Sequence, residues 1–137
     1  MAKWKQVLIL SSIILIPILM GGGLFAWFKI SATRHAALWQ GVDISDWAPL
    51  ESAEELARGA RIYRQSCQTC HGVDGVGIIG PPLTDPKWRD SLGFPAMVNI
   101  VLSGVEKTPM PAWKGSMEPE SLHVVASFAW SLSAPAE

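Results

Sequence analysis

The sequence is poor in several residue types, and each shortage excludes a class of protein. Only two cysteines occur among 137 residues, which is too few for a small domain held together by a disulfide framework. Charged residues make up only 17% of the chain and the net charge is −1, so no basic surface is available to neutralise a phosphate backbone. The chain also has no internal repeat and no long run of one charge. Nucleic-acid binders, solenoids and charged tails are therefore excluded.

Apolar residues are plentiful, at 49% of the chain, and they concentrate near the amino end. Residues 7–28 contain no charged side chain, and as a helix rising about 1.5 Å per residue they would extend roughly 33 Å. This length matches a hydrocarbon core about 30 Å thick. The alternatives are a buried globular helix and a cleaved secretory signal, but the apolar part of a signal is usually only about 7 to 15 residues long. We expect an uncleaved transmembrane anchor over residues 1–29.

Small and aromatic residues within this stretch suggest how it sits in a bilayer. Trp4 and Trp27 lie near its two ends, where aromatic rings favour the membrane interface. Pro17 and the three glycines at 21–23 would let a neighbouring helix approach closely. The Lys and Arg residues on the two sides are nearly balanced, so they give only a faint preference for a cytoplasmic amino terminus. Beyond the anchor, the composition of residues 30–50 predicts a juxtamembrane linker.

The remaining residues, 51–137, are long enough for one globular domain, and their patterns predict helices. Three stretches have helical periodicity: 52–66, 95–103 and 118–132. Ser52 and Glu55 form a capping-box sequence at the first start, Gly104 is suited to end the second, and Pro119 stands in the first turn of the third. Residues 72–88 hold four Gly and three Pro and show no alternation. The sequence therefore predicts an all-α domain with ordered loops.

One short motif carries most of the functional information. Cys67, Gln68, Thr69, Cys70 and His71 form the C-x-x-C-H pattern of c-type haem attachment. Two thiols at this spacing near a helix end can each add to a vinyl group of one haem, and the adjacent histidine then lies where it can ligate the iron. The motif predicts one covalent haem c, held by Cys67, Cys70 and His71.

Three other uses of two cysteines fit less well. A dithiol redox pair is expected after a strand in a βαβ unit, and no such pattern precedes Cys67. A zinc site needs further ligands, but the other histidines are only His35 and His123. A structural disulfide would leave His71 without a role. We interpret His35 as a surface residue.

With these motifs, the chain resembles the class I cytochromes c of bacteria, in a single-haem, membrane-anchored form. Gly59, Tyr63 and Cys67 stand four residues apart, as in the first helix of that family, where the glycine lets the last helix cross closely and the aromatic ring packs into the crossing. The resemblance covers about residues 52–133. It implies an all-α class I cytochrome c fold around one covalent haem, in domain 51–137, preceded by a single transmembrane helix.

A loop of the family also has a counterpart. Gly80, Pro81, Pro82 and Leu83 resemble its Gly-Pro-x-Leu segment, in which the proline carbonyl accepts from Nδ1 of the haem histidine. This resemblance implies that Pro81 orients His71, which would fix the tautomer and strengthen the ligand. It also places Leu83 and Tyr63 at the cofactor.

The second axial ligand has one strong candidate. Met110 lies in a loop stiffened by Pro109 and Pro111, and related proteins place their axial methionine in such a segment about 40 residues after the motif histidine. Met97 falls within a helix pattern, and Met117 precedes the last helix. His123 is the rival donor, although a histidine on the last helix is more commonly a surface or core-edge residue. We expect the iron to be bound by His71 and Met110.

Other residues give weaker signals. The resemblance places Trp88 and Arg89 where donors to the haem propionates often occur, and a rim aromatic with a solvated arginine is the alternative. Trp113 is expected to pack against the haem pocket on the methionine side. Three arginines of the first helix form either a solvated face or a docking surface for a partner: Arg58, Arg61 and Arg64.

These features predict electron transfer rather than substrate chemistry, because His71 and Met110 would leave no open coordination position. No small-molecule substrate is expected. We expect a subunit of a membrane complex, such as a quinol-oxidising complex or a terminal oxidase, with the haem domain on the periplasmic face of the bacterial cytoplasmic membrane and a separate redox partner protein. Trp39 and Trp47 in the linker support this expectation as aromatic interface anchors. The alternatives are a free-standing tethered carrier, a haem enzyme or gas sensor with a labile sixth ligand, and a structural subunit whose haem is redox-idle.

Overall fold

The computed structural model describes residues 21–27, 29–30, 34 and 37–133, except for the side chain of Trp88. The chain divides into two compact units, Met1–Arg34 and His35–Glu137. In the first unit, residues 21–27 are helical and exposed, and most of the predicted anchor lies outside the described residues. Among the helices that are described, none is both long and apolar enough to cross a membrane.

The second unit is built from helices and loops. Its helices are α1 (Ala53–Ser66), α2 (Gln68–His71), a 3-10 turn (Val73–Gly75), α3 (Lys87–Leu92), α4 (Phe94–Ser103) and α5 (Pro119–Ser131). The described part of the chain contains no β-strand. The all-α prediction is confirmed, and the three predicted helical stretches correspond to α1, α4 and α5.

The ends of these helices follow the predicted capping signals. Ser52 Oγ accepts from the Glu55 amide at 3.3 Å, and the Ser52 hydroxyl donates to the Glu55 carboxylate at 2.6 Å, which fixes the start of α1. Gly104 ends α4 with φ +69°, a conformation that favours glycine, and its amide donates to Ile100 O at 2.9 Å. Helix α5 starts at Pro119 after Glu118, whose side chain makes no capping bond.

Helices α1 and α5 cross at Gly59, as the resemblance implied. A Cβ atom at Gly59 would lie 2.7 Å from Phe128 Cβ and would also strike the Val124 carbonyl, so the crossing requires glycine. Next to it, the Tyr63 ring packs edge-on against Phe128, with ring centroids 5.3 Å apart. This crossing places the carboxyl end of α1, and hence the cysteine motif, against α5.

The segment expected to be a linker is in large part packed onto the domain. Trp39 is only 7% exposed and its indole N–H donates to Met117 O at 2.9 Å. Trp47 stacks on His123 with ring centroids 4.3 Å apart, and the Leu50 amide donates to Ser127 Oγ at 3.0 Å. We call residues 39–50 the strap.

The strap bears on two expectations from the sequence. The second compact unit is His35–Glu137, and large apolar side chains of the strap join its core, whereas the sequence predicts a boundary at residue 51. Trp39 and Trp47 pack within their own domain, so they do not support the interpretation of these rings as anchors for another subunit. The Gly, Asp and Pro residues of this segment predict irregular backbone, which the structure shows, but a segment with irregular backbone can also be well packed.

Candidate haem site

One cavity of about 490 Å³ lies between α1, α4, α5 and the loops around them. Its walls are mostly apolar. Eight of the ten predicted cofactor-binding residues line it: Tyr63, Cys67, Cys70, His71, Pro81, Leu83, Met110 and Trp113. The fold therefore brings together residues that are more than 45 positions apart in the chain.

The cysteine motif is a helical turn in the wall of this cavity. The Cys67 amide donates to Tyr63 O at 2.8 Å, and the amides of Cys70 and His71 donate to Cys67 O at 3.1 and 3.0 Å. Both thiols are free and partly buried. Burial, with a smaller contribution from Cys70, raises the pKa of the Cys67 thiol to about 11, so the thiol is neutral at physiological pH. The turn thus presents two thiols and one imidazole to the same space.

Two neighbours fix the orientation of the His71 ring. Nδ1 lies 3.1 Å from Pro81 O, and because a carbonyl can only accept, Nδ1 carries the proton and Nε2 keeps a free lone pair. Gly80 lies flat against the ring, since a Cβ atom there would be 2.8 Å from His71 Cε1. The Gly80 amide is itself tied to Cys70 O at 2.9 Å. The loop therefore holds the imidazole in a fixed orientation, with the Nε2 lone pair available to bind a metal.

Tyr63 supports the other side of the motif. Its ring is 2% exposed and its hydroxyl donates to Gly72 O at 3.0 Å. Burial raises the pKa of Tyr63 to about 12, with smaller electrostatic contributions from Cys67 and Asp74. The phenol is therefore a neutral donor that holds the chain just beyond His71.

Met110 reaches the cavity on a loop that is fastened to the end of α4. The Val105 amide donates to Met110 O at 3.1 Å, and the Met110 amide donates to Thr108 Oγ1 at 3.2 Å. A Cβ atom at Gly104 would lie 2.7 Å from Ala112 N, so the loop returns directly over the end of the helix. Met97 on α4 also lines the cavity, which leaves it as a second thioether near the site.

A buried donor in the cavity wall has no partner within the protein. Among the buried side-chain nitrogen and oxygen atoms of the described residues, Trp113 Nε1 is the one without a hydrogen bond. An unpaired buried donor costs free energy unless a ligand supplies an acceptor. A haem propionate is such an acceptor. Together with two thiols, an oriented imidazole and a thioether, this donor fits a covalently bound haem.

Three other predicted residues lie elsewhere or are not described. The Arg89 guanidinium donates to Ser133 Oγ and Trp130 O, each at 3.2 Å, and it is absent from the cavity wall. His123 is also absent from the wall, and its Nε2 donates to Ala48 O at 2.8 Å. The side chain of Trp88 lies outside the described residues.

Sequence reasoning missed part of the cavity wall. Helix α4 contributes Met97, Ile100 and Val101, whose i, i+3, i+4 spacing marks one helical face. Small residues of α5, Ala126 and Ala129, line the opposite helix at i, i+3. Both patterns were visible in the sequence, but an apolar helical face does not show whether it meets protein or a cofactor.

Comparison with known proteins gives a consistent assignment. Residues 54–128 match the family described as "Cytochrome C oxidase, cbb3-type, subunit III". The Cbb3-type cytochrome c oxidase subunit FixP of Bradyrhizobium diazoefficiens is 30% identical over 87 residues, which cover 61% of this chain and 30% of FixP. Subunit CcoP of Rubrivivax gelatinosus is 36% identical over 70 residues, covering 49% of this chain and 23% of CcoP. Cytochrome c55X of Pseudomonas aeruginosa is 34% identical over 93 residues, covering 61% of this chain and 75% of that protein.

The matches thus span less than a third of FixP and CcoP but three quarters of cytochrome c55X. The family match contains the cysteine motif, the Pro81 loop and Met110, which are the parts that build the cavity. Because that match covers more than half of the sequence, this chain belongs to the cbb3-type cytochrome c oxidase subunit III family of cytochromes c, whose cofactor is covalently bound haem c.

Proposed function

We propose that this chain transfers single electrons through a haem c attached to Cys67 and Cys70, with His71 and Met110 as axial ligands. The observation that supports the proposal best is that one apolar cavity is lined by all four of these residues. When bound, the haem supplies a one-electron Fe(II)/Fe(III) couple, and a methionine ligand raises its reduction potential. The protein's contribution is to bind, orient and shield this group.

Each part of the wall has a definite task in this proposal. The two thiols of Cys67 and Cys70 would hold the haem covalently, as thioethers to its vinyl groups. Pro81 O keeps the proton on Nδ1 of His71 and leaves Nε2 free to ligate. Met110 would supply the second protein ligand, which would leave no position on the iron for a small-molecule substrate. The apolar side chains exclude water, which keeps reorganisation small when the charge changes.

A redox partner protein needs a surface beside the cavity. Val73, Val76, Ile78 and Ile79 are 58–71% exposed, and Ile79 also lines the cavity. Such a cluster of exposed apolar side chains is typical of a protein interaction site. From residue 30 onward, eight Lys and Arg face twelve Asp and Glu, so the domain is acidic before the haem propionates are counted. We infer a docking partner with a basic rim around an apolar centre.

We further propose that the chain is a subunit of a membrane complex. FixP and CcoP are named as subunits of cbb3-type oxidases, which favours a terminal oxidase over a quinol-oxidising complex. Residues 1–29 would anchor the chain in the bacterial cytoplasmic membrane, and the glycines at 21–23 have open space around them for a neighbouring helix. The haem domain would face the periplasm, because haem is attached covalently outside that membrane.

A free-standing tethered carrier is the second candidate. Cytochrome c55X matches over 75% of its length, so a protein of similar size consists largely of this domain. Solubilisation in mild detergent, followed by haem absorbance against size, separates the two candidates. Co-migration with polytopic subunits, reduced by Gly22→Leu, supports the subunit proposal, whereas migration as a monomer supports the carrier.

The axial ligands are tested by substitution. Met110→Ala should abolish the weak red absorption band of the oxidised protein that arises from sulfur–iron charge transfer, and it should lower the reduction potential. Met97→Leu and Met117→Leu are the controls and should leave the band in place. A band that persists in Met110→Ala and disappears in Met97→Leu would make Met97 the ligand.

The covalent link is tested by acid–acetone extraction, which should leave the haem on the polypeptide.

A further inference from the structure

The strap makes two contacts with the turn formed by residues 113–117. The buried indole of Trp39 donates from Nε1 to Met117 O at 2.9 Å. Lys114 Nζ lies 5.9 Å from the centroid of the Trp39 ring, within the range of a cation–π contact. The Trp39 side chain of the strap is thus bonded to a turn that lies almost 80 residues later in the chain.

This turn is the direct continuation of the loop that carries Met110. Trp113 O accepts from the amides of Ser116 and Met117 at 3.0 and 2.9 Å, which closes the turn. Trp113 lines the cavity three residues after Met110, and its amide is tied to Val101 O at 3.2 Å. A force that holds the turn in place therefore also holds the carboxyl end of the methionine loop.

The other end of the strap is fixed to α5. His123 Nε2 donates to Ala48 O at 2.8 Å, and the His123 ring stacks on Trp47. The Leu50 amide donates to Ser127 Oγ, whose hydroxyl donates to His123 O at 2.8 Å. Helix α5 packs across α1, the helix that precedes the cysteine motif. The strap therefore links α5 to the turn that follows Met110.

We propose that Trp39 is a positioning residue for the sixth ligand: by holding the 113–117 turn, it sets how easily Met110 is displaced from the iron. This inference rests on the proposed ligation by Met110. A single hydrogen bond changes an equilibrium constant by roughly fivefold. The strap therefore affects ligation of the iron by Met110, although no strap residue lines the cavity.

The experiment is a titration of the oxidised, full-length holoprotein in detergent with imidazole, which competes with methionine for ferric iron. Trp39→Phe keeps the ring and removes the N–H, and it should tighten imidazole binding by about fivefold. Lys114→Ala removes the exposed cation and should tighten it by about twofold. Lys87→Ala is the matched control, because it removes an exposed lysine of α3 and alters no contact of the strap or of the turn. Its imidazole affinity should equal that of the wild type.

The Met110→Ala variant distinguishes failure of the proposed Met110 ligand from failure of the proposed role of Trp39. If it binds imidazole far more tightly than the wild type while Trp39→Phe and Lys114→Ala do not differ from the wild type, the ligand proposal stands and the role of Trp39 is contradicted. If Met110→Ala itself has wild-type affinity, the ligand proposal fails. Should Trp39→Phe yield no holoprotein, Lys114→Ala decides, since a surface lysine can be removed without loss of folding.

Discussion

At the scale of single residues, the site depends on how closely the chain packs against one imidazole. Gly80 has an ordinary backbone conformation, yet a Cβ atom there would lie 2.8 and 2.9 Å from Cε1 and Nδ1 of His71. We expect Gly80→Ala to lower the free energy of unfolding of the holoprotein by about 1–3 kcal/mol, because the ring or the loop must move. Denaturant titration followed by haem absorbance measures this effect.

Gly115→Ala is the matched control, because nothing lies within 4 Å of a Cβ atom at that position. Its unfolding free energy should stay close to that of the wild type. Equal stability of Gly80→Ala and Gly115→Ala would mean that the contact with His71 is relaxed in the holoprotein.

The raised pKa of Tyr63 predicts that the folded protein loses stability at alkaline pH. Its pKa is about 12 in the folded protein against an ordinary value of 10.0, so the folded state favours the neutral phenol. The stabilisation is complete below the unfolded pKa of about 10 and is lost as the pH rises from about 10 through about 12. Tyr63→Phe should be less stable at neutral pH, by about 1 kcal/mol for the hydrogen bond to Gly72 O. It should also show a flatter decline in this alkaline range, and a parallel decline in both proteins would contradict the assignment.

The spacing of Cys67, Cys70 and His71 predicts covalent haem attachment, and the prolines beside Met110 together with the resemblance predict the second ligand. The structure places all four residues in one cavity wall, and their roles remain predictions. The resemblance places Arg89 among the donors to the haem propionates, and in the structure its guanidinium donates to Ser133 Oγ and Trp130 O. A long guanidinium has many acceptors within reach, and tertiary structure alone decides among them.

At the scale of elements, helices with both periodicity and end signals were predictable. Helices α1 and α4 have these signals, and their bounds agree with the prediction within a residue or two. The short helix α3 was missed because six residues carry too little periodicity. The packing of the strap was missed because it depends on a partner, Met117, that is distant in sequence.

The crossing of α1 and α5 gives a prediction at this scale. Gly59→Ala would place a methyl group 2.7 Å from Phe128 Cβ and against backbone, so the two helices must separate. We expect a loss of about 1–3 kcal/mol in unfolding free energy and a lower yield of holoprotein, because the same helices border the haem cavity. Arg61→Ala, at an exposed position of α1, is the control and should have little effect. Wild-type stability of Gly59→Ala would show that the crossing is looser than described.

At the scale of the whole molecule, the cavity lies beside a hydrophobic core of buried side chains that includes Tyr63, Val98 and Leu122. A unit of about a hundred residues leaves about 490 Å³ open between its main helices, and its wall is almost wholly apolar. A haem in this space would fill the gap between these helices and form the proposed redox centre. The five residues of the C-x-x-C-H motif predict which group fills the cavity, whereas the packing of the strap onto the domain depends on contacts that are distant in sequence.

The central claim is that both axial positions are filled by the protein, so that the chain carries electrons and does not bind a substrate at iron. Carbon monoxide added to the fully reduced holoprotein tests it most directly, with Met110→Ala as the positive control. The account predicts an unchanged spectrum for the wild type and a carbon monoxide complex for the variant. A wild-type protein that binds carbon monoxide as readily as Met110→Ala would contradict the account and favour a haem enzyme or gas sensor.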